Sequence, residues 1–255
     1  MRYTVSGIFS CLLIAGTAYA EPPAVNASYE VKVNLDPERA PVILADLVHG
    51  IAAKPRSVYY YQIDPTPQSD KTIVRARRDA KNKVDIDVKL RGIQEVLAWL
   101  LTGPQLNLEG VECEWDIGLA ADNTGNLSCD IKVETPNDLS DLDGASVMAR
   151  LNDSQRRLFE IGTHHPDFLS SLNACEKIAT KVYKGYAIVP GCDETTVEVW
   201  PLGENAPTIY ELSCKTTTLE AARVGLQAEM DRVNIVAAED QRGKTAQALE
   251  QCGVQ

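Results

Sequence analysis

Thr72–Gly92 reads TIVRARRDAKNKVDIDVKLRG, and the fold turns on how its alternation is interpreted. Val84, Ile86, Val88 and Leu90 alternate with Asp85, Asp87, Lys89 and Arg91, while Arg75 and Arg77 share a face just upstream. A strand sends successive side chains to opposite faces, so the pattern is that of two strands joined by the polar turn Asp79–Lys83. Such a hairpin has one apolar face and one densely charged face. Two arrangements satisfy it. The charged face can meet water from an antiparallel sheet, or it can line a closed barrel that holds a multiply charged ligand.

The neighbouring segments weigh between these. Ser28–Leu35, Ser57–Ile63, Glu109–Gly118, Asn126–Val133, Lys177–Val189, Thr195–Trp200 and Pro207–Lys215 also read as strands. Nearly all carry ionisable groups on the second face: Glu30 and Lys32, Glu112, Glu114 and Asp116, Asp130 and Lys132, Glu198, Glu211 and Lys215. An open sheet would place more Ser, Thr and Gln there. Acids and bases mixed on most strands suit a lumen in which charges pair with each other, with a metal or with a phosphate chain.

Helical spacing marks Val42–Ala53, started by Asp36-Pro37-Glu38, and then Gln94–Leu101 and Ser146–Ile161. Thr218–Val236, capped by Thr218, and Arg242–Cys252 follow near the end. Asp64–Pro67 and Ala121–Gly125 are turn clusters, and Pro136–Gly144 is an acidic connection. The expectation is one α+β domain over residues 21–255, with eight or nine strands and four or five helices.

The chain of 255 residues is 44% hydrophobic, enough for a core, and carries a formal charge of −11. That balance argues against a general nucleic-acid binder. Because the basic residues come in local sets, a single small polyanionic partner stays compatible with it. Met1–Ala20 has Arg2, an apolar run over Ile8–Ala15 and the triplet Ala18-Tyr19-Ala20. This is a secretory signal with a cleavage site after Ala20, and its apolar run is too short to span a bilayer. The mature chain is therefore expected to be exported, periplasmic or extracellular, with no membrane segment.

Removal of that segment takes Cys11 with it and leaves Cys113, Cys129, Cys175, Cys192, Cys214 and Cys252. An even set in an exported chain points to three disulfides. The short-range pairs Cys113–Cys129 and Cys175–Cys192 bridge neighbouring strands, which leaves Cys214 for Cys252. None of the cysteines forms a C-x-x-C pair, and His49, His164 and His165 lie apart from them, so a zinc site is not indicated.

The order of motifs resembles the CYTH superfamily, the triphosphate tunnel metalloenzymes. Tyr29–Asn34 (Y-E-V-K-V-N) is similar to that family's opening E-x-E-x-K strand. Tyr59–Tyr61, Arg75-Ala76-Arg77 and Val84–Lys89 resemble its tyrosine-rich, R-x-R and lysine-ending strands. Glu112-Cys113-Glu114 resembles its E-x-E strand, and Glu211–Lys215 and Arg242-Gly243-Lys244 resemble its closing motifs.

The resemblance implies an antiparallel eight-stranded closed barrel with flanking helices. It implies phosphate binding by Arg75, Arg77, Lys89, Lys132, Lys215, Arg242 and Lys244, and Mg²⁺ or Mn²⁺ held by Glu30, Glu112, Glu114 and Glu211. Guanidinium forks match phosphate oxygens, and Mg²⁺ takes carboxylates together with substrate phosphates. Three positions depart from the family pattern. Lys32 stands in place of the second opening glutamate, Asn34 in place of the lysine, and Ser213 in place of a late carboxylate. Three readings follow: an exported tunnel that binds a phosphate-rich polyanion with weak or lost turnover, a metal-dependent tripolyphosphatase, and an exported barrel with a structural or partner-binding role.

Overall fold

The computed structural model describes residues 28–63, 71–92, 108–120, 125–135, 141–163, 172–185, 189–204 and 206–252. The segment Met1–Ala20 read as an export signal, the helix expected at Gln94–Leu101, the Asp64–Pro67 turn, most of the Ala121–Gly125 turn and of the Pro136–Gly144 connection, and His164 and His165 lie outside them. In order, the chain forms β1 (Ser28–Leu35), α1 (Ala40–Leu47), β2 (Lys54–Ile63), β3 (Thr72–Asp79), β4 (Val84–Arg91), β5 (Val111–Gly118) and β6 (Asn126–Thr135). There follow α2 (Gly144–Arg150), α3 (Asp153–Thr163), β7 (Leu172–Ala174), β8 (Ile178–Lys184), β9 (Glu194–Pro201), β10 (Thr208–Thr216), α4 (Leu219–Arg232) and α5 (Lys244–Cys252).

The hairpin forms as its alternation dictates. Asp79 closes the turn with its side chain, which accepts from the backbone N–H groups of Lys81 and Lys83 at 2.8 and 2.9 Å. Asn82 takes the left-handed conformation that the turn requires, with φ 63°. Arg75 then lies opposite Asp87 and Arg77 opposite Asp85, all on the charged face.

Pairing runs β3-β4-β6-β5-β1-β10-β9-β8-β2, and β2 pairs back onto β3, so the sheet closes on itself. The short β7 adds to β2 beyond β8, through Tyr61–Ile63. The barrel therefore has nine strands, not the eight that the resemblance implied. A ring of nine cannot alternate direction throughout, so at least one neighbouring pair must be parallel. That pair is β1 with β5, where Glu30 lies beside Asp116. The barrel is mixed, and the expectation of a purely antiparallel one is corrected.

The apolar faces point outward and are covered by helices. Val74, Ile86, Val88 and Ile131 pack under Val147 of α2 and Leu158 and Phe159 of α3. Val31, Val33, Val197 and Leu212 pack under Leu47 of α1 and Ala222, Leu226 and Met230 of α4. Each buried aliphatic side chain contributes about 1.5–3 kcal/mol relative to exposure.

The helix expected at Ser146–Ile161 is two helices. Asn152 and Gln155 cap each other reciprocally and restart the chain as α3, and the Gln155 amide donates to the Ile86 and Ile131 carbonyls of the barrel. Arg156 donates to the carbonyls of Met148 and Leu151, which ties the two helices together. Two left-handed residues, His49 and Gly50, end α1 before the expected Ala53. Thr218 precedes α4 without capping it; its N–H instead donates to the Thr216 hydroxyl at 2.8 Å.

Three disulfides are present: Cys113–Cys129, Cys175–Cys252 and Cys192–Cys214. The first was expected, since the two residues face each other across β5 and β6. The other two correct the expected Cys175–Cys192 and Cys214–Cys252. Gly191 packs so closely on α4 that a Cβ there would lie 2.5 Å from Ala221, and the Asp193 N–H reaches the Lys215 carbonyl at 2.7 Å. These contacts hold Cys192 against β10. The Cys175 N–H bonds the Tyr60 carbonyl, which places Cys175 on β2, under the end of α5. Three disulfides fit an oxidising compartment, and among the described residues no helix is long and apolar enough to cross a membrane.

Candidate functional site

Because opposite residues on paired strands share a face, the charged sides of all nine strands look into the lumen. At one end the lining turns apolar. Val58, Tyr60, Ile73, Ile178, Trp200 and Ile209 cluster with Ala248 of α5. There α5 closes the barrel, with the Tyr60 and Thr245 hydroxyls 3.2 Å apart. Lys244, at the start of α5, is ion-paired with Glu198 and lies 2.6 Å from Glu211. It also stands 5.3 Å from the Trp200 ring centre. The Trp200 indole N–H donates to Glu198 at 3.0 Å.

The remaining lumen encloses a cavity of about 360 Å³ lined by ten basic and seven acidic side chains. Asp87, Asp116 and Glu211 stand behind that lining, paired to its bases, so acids and bases in the lumen are closely balanced. A second cavity, about 460 Å³, lies beyond Lys32, Arg91 and Lys244 and is flanked by Asn34, Ile117 and Gln241.

One wall, from β2, β3 and β4, is basic. Arg75 grips Asp87 through two nitrogens, Nε at 3.1 Å and Nη2 at 2.5 Å. Arg77 reaches the same carboxylate at 3.7 Å, and its buried Nε has no hydrogen-bond partner. Arg56 approaches Glu198 at 3.8 Å. Burial and then the neighbouring Arg77 push the Arg56 guanidinium below its ordinary pKa, against the pull of Glu198. Burial alone would raise Asp87, but Arg75 and Arg77 reverse that and hold it at about 2.

The other wall, from β1 and β5, is acidic. Glu30, Glu114 and Asp116 present carboxylate oxygens within 4.8 Å of one another, a donor set suited to a divalent cation. Lys32 is embedded in it, 2.8 Å from Glu30 and hydrogen-bonded to Asp116. Lys89 lies 3.2 Å from Glu114 and 3.4 Å from Asp116, and Lys215 lies 3.2 Å from Glu114. Burial raises Glu114 and Asp116, and the Lys89 and Lys32 ammoniums overcome it. Glu114 falls to about 2, and Asp116 falls well below its ordinary value. Burial would lower Lys32, yet Asp116 and Glu30 raise it well above the usual lysine value.

The residues expected from sequence distribute unevenly over this arrangement. Arg75, Arg77, Lys89, Lys132, Lys215 and Lys244 all line the lumen, Lys132 paired to Asp85 at 3.2 Å. Arg242 does not; it is exposed and ion-paired with Asp240 and Glu250. Of the expected metal ligands, Glu30 and Glu114 come together. Glu112 stands at the exposed rim, and Glu211 is committed to Lys244. Asp116, Asp87, Arg56 and Arg91 were not among the expected site residues. Asp116 continues the alternation of Glu112 and Glu114, which is the signal that could have found it.

No protein-family model matches the chain, and no curated protein matches it in sequence. Solved structures do match. An adenylyl cyclase candidate from Hippeastrum, described as having a dominant triphosphatase activity, gives a TM-score of 0.59 at 14% identity, covering 88% of this chain and 95% of that one. An adenylate cyclase candidate from Bacillus halodurans gives 0.54 at 13% identity, covering 87% and 96%. The chain has the CYTH-like tunnel fold. The likeness to these structures is one of fold, and the acidic triad of this chain could hold a metal only in competition with Lys32.

Proposed function

We propose that the CYTH-like lumen binds a small phosphate-rich polyanion along the Arg56–Arg75–Arg77 wall, with turnover weak or lost. The observation that carries this reading is Arg77. Its guanidinium is held beside Arg56, shares Asp87 with Arg75 at a distance of 3.7 Å, and keeps a buried Nε without an acceptor. Arg56 and Arg77 reach carboxylates only at 3.8 and 3.7 Å, which costs free energy in a half-buried setting, and a polyanion would relieve that cost. Guanidinium forks suit phosphate oxygens, and several are needed to offset a chain of phosphates. The triphosphatase activity described for one fold neighbour is consistent with a triphosphate as the type of ligand.

A second reading, metal-dependent hydrolysis of a phosphoanhydride, is favoured by the Glu30–Glu114–Asp116 triad. A cation bound there would offset charge on a terminal phosphate. The Lys32 ammonium already supplies part of that charge, so this reading stands second. The setting proposed for the binding is the exported one implied by Ala18-Tyr19-Ala20 and consistent with the disulfides.

Calorimetric titration with tripolyphosphate tests the reading. Binding is expected in the parent and is weakened in Arg77→Ala without loss of the fold. Phosphate release with Mg²⁺ is expected to stay near background. Undiminished binding in Arg77→Ala places the ligand elsewhere, and rapid Mg²⁺-dependent release puts the hydrolase first.

A further inference from the structure

We propose that Lys32 is the resident cation of the acidic triad, standing where a divalent ion would sit, so that the lumen takes up its anion without added metal. The second half of this statement rests on the anion-binding reading; the first half does not.

The geometry carries it. The Lys32 ammonium contacts two of the three carboxylates, Glu30 at 2.8 Å and Asp116 through a short hydrogen bond. The third, Glu114, is held by Lys89 and Lys215, each at 3.2 Å. Each carboxylate of the triad is thus already matched by an ammonium of the chain itself. A lysine ammonium is a compact point charge with three donors, closer to a metal ion in its demands than a planar guanidinium is. A divalent ion entering the triad would have to displace Lys32 or share oxygens with it, against direct charge repulsion.

The backbone gives Lys32 little room to leave. β1 is an interior strand, paired with β5 on one side and β10 on the other, and Glu30 and Asp116 are register partners across the parallel pair. The Lys32 side chain is about one-fifth exposed and its two carboxylate partners less, so water screens the group only in part. The parallel pair β1–β5 thus builds an acidic pocket, and the chain fills it from within.

This arrangement predicts that metal affinity is suppressed by one residue and can be released by changing it. Removing the ammonium leaves three carboxylates facing Lys89, Lys215, Arg91 and one another, and the number of carboxylate charges at a site tunes its affinity for divalent ions.

The test is Mn²⁺ binding by calorimetry and by Mn²⁺ paramagnetic resonance, with no phosphate present, on the parent, Lys32→Gln and Lys32→Glu. Circular dichroism establishes that each variant is folded. The parent is expected to show no saturable site below the millimolar range. Lys32→Gln should gain at least about tenfold in Mn²⁺ affinity and Lys32→Glu more. Micromolar Mn²⁺ binding by the parent that is lost in Asp116→Asn overturns the proposal, a result that needs no Lys32 variant to fold. Folded Lys32→Gln with no gain also overturns it. A parallel titration with tripolyphosphate in excess EDTA should match the one made with Mn²⁺; a requirement for the metal contradicts the proposal. Absence of tripolyphosphate binding under both conditions defeats the anion reading instead, and the Mn²⁺ titration still decides the role of Lys32.

Discussion

On the β2–β3–β4 wall two guanidiniums share one carboxylate, Asp87, whereas on the β1–β5 wall three carboxylates are served by Lys32, Lys89 and Lys215. Both walls hold acids and bases, arginines on the first and lysines on the second. The matching differs. The ammonium contacts of the acidic wall close at 3.4 Å or less, while Arg77 and Arg56 reach their carboxylates at 3.7 and 3.8 Å. Buried charge is tolerated where it is paired and hydrogen-bonded, and is costly where it is not. The comparison sets a wall whose acids are each met by a lysine against one where Arg56 and Arg77 keep only long contacts, which is where the proposed anion would bind.

Breaking the basic wall at its shared acid should have the largest effect. Asp87 is 1% exposed, and Asp87→Ala leaves two buried guanidiniums facing each other, a loss of about 3–5 kcal/mol in urea unfolding. Part of that loss should return on adding tripolyphosphate, since the anion replaces the missing charge; no recovery would mean that the two guanidiniums do not face the ligand.

Next in size is Arg77→Ala. Removal of a charge-assisted contact should weaken tripolyphosphate binding by about 1.5–3 kcal/mol. The fold should be spared, because Asp87 keeps its two-point bond with Arg75.

Acid should then erode the matched charges together. Asp87, Glu114 and Glu198 titrate at about 2 in the folded chain, below their ordinary 3.8 for Asp and 4.5 for Glu. Folding therefore favours the deprotonated forms. The resulting stabilisation is complete above about pH 4.5 and is lost as pH falls towards 2. Thermal unfolding across that window should show a steep decline in the parent and a shallower one in Glu198→Gln. Equal slopes would indicate that these carboxylates gain nothing from their partners.

The smallest effect is expected at the hairpin tip, where Lys83 and Glu134 meet at 2.6 Å on the surface. Lys83→Ala should leave stability and anion binding unchanged within error; a measurable change in either would show that charge outside the lumen matters.

What could be read from the sequence was whatever is local. Alternation over Val84–Arg91 gave both faces of β4, and the charged face does line the lumen. All nine barrel strands have counterparts among the segments read from the sequence, where the count stood at eight or nine, and the closed barrel of eight came from the family resemblance. The three-residue β7 escaped because it is too short to show a period. The parallel partnership of β1 and β5 joins residues some 80 positions apart, as in the separation of 84 between Lys32 and Asp116, and no local pattern encodes it. Asp116 was therefore read as a member of a charged face without its place in the triad. The two corrected disulfides have the same cause. Cys192 and Cys175 are placed by packing on β10 and β2, whereas their spacing in sequence favoured each other.

The account stands most directly on where an anion goes. A crystal structure of the native chain soaked with tripolyphosphate, in EDTA, should show phosphate density between Arg56, Arg75 and Arg77, with Lys32 still bonded to Glu30 and Asp116. Density confined to the outer surface, or a lumen in which phosphate sits on the acidic wall with Lys32 displaced, would contradict it.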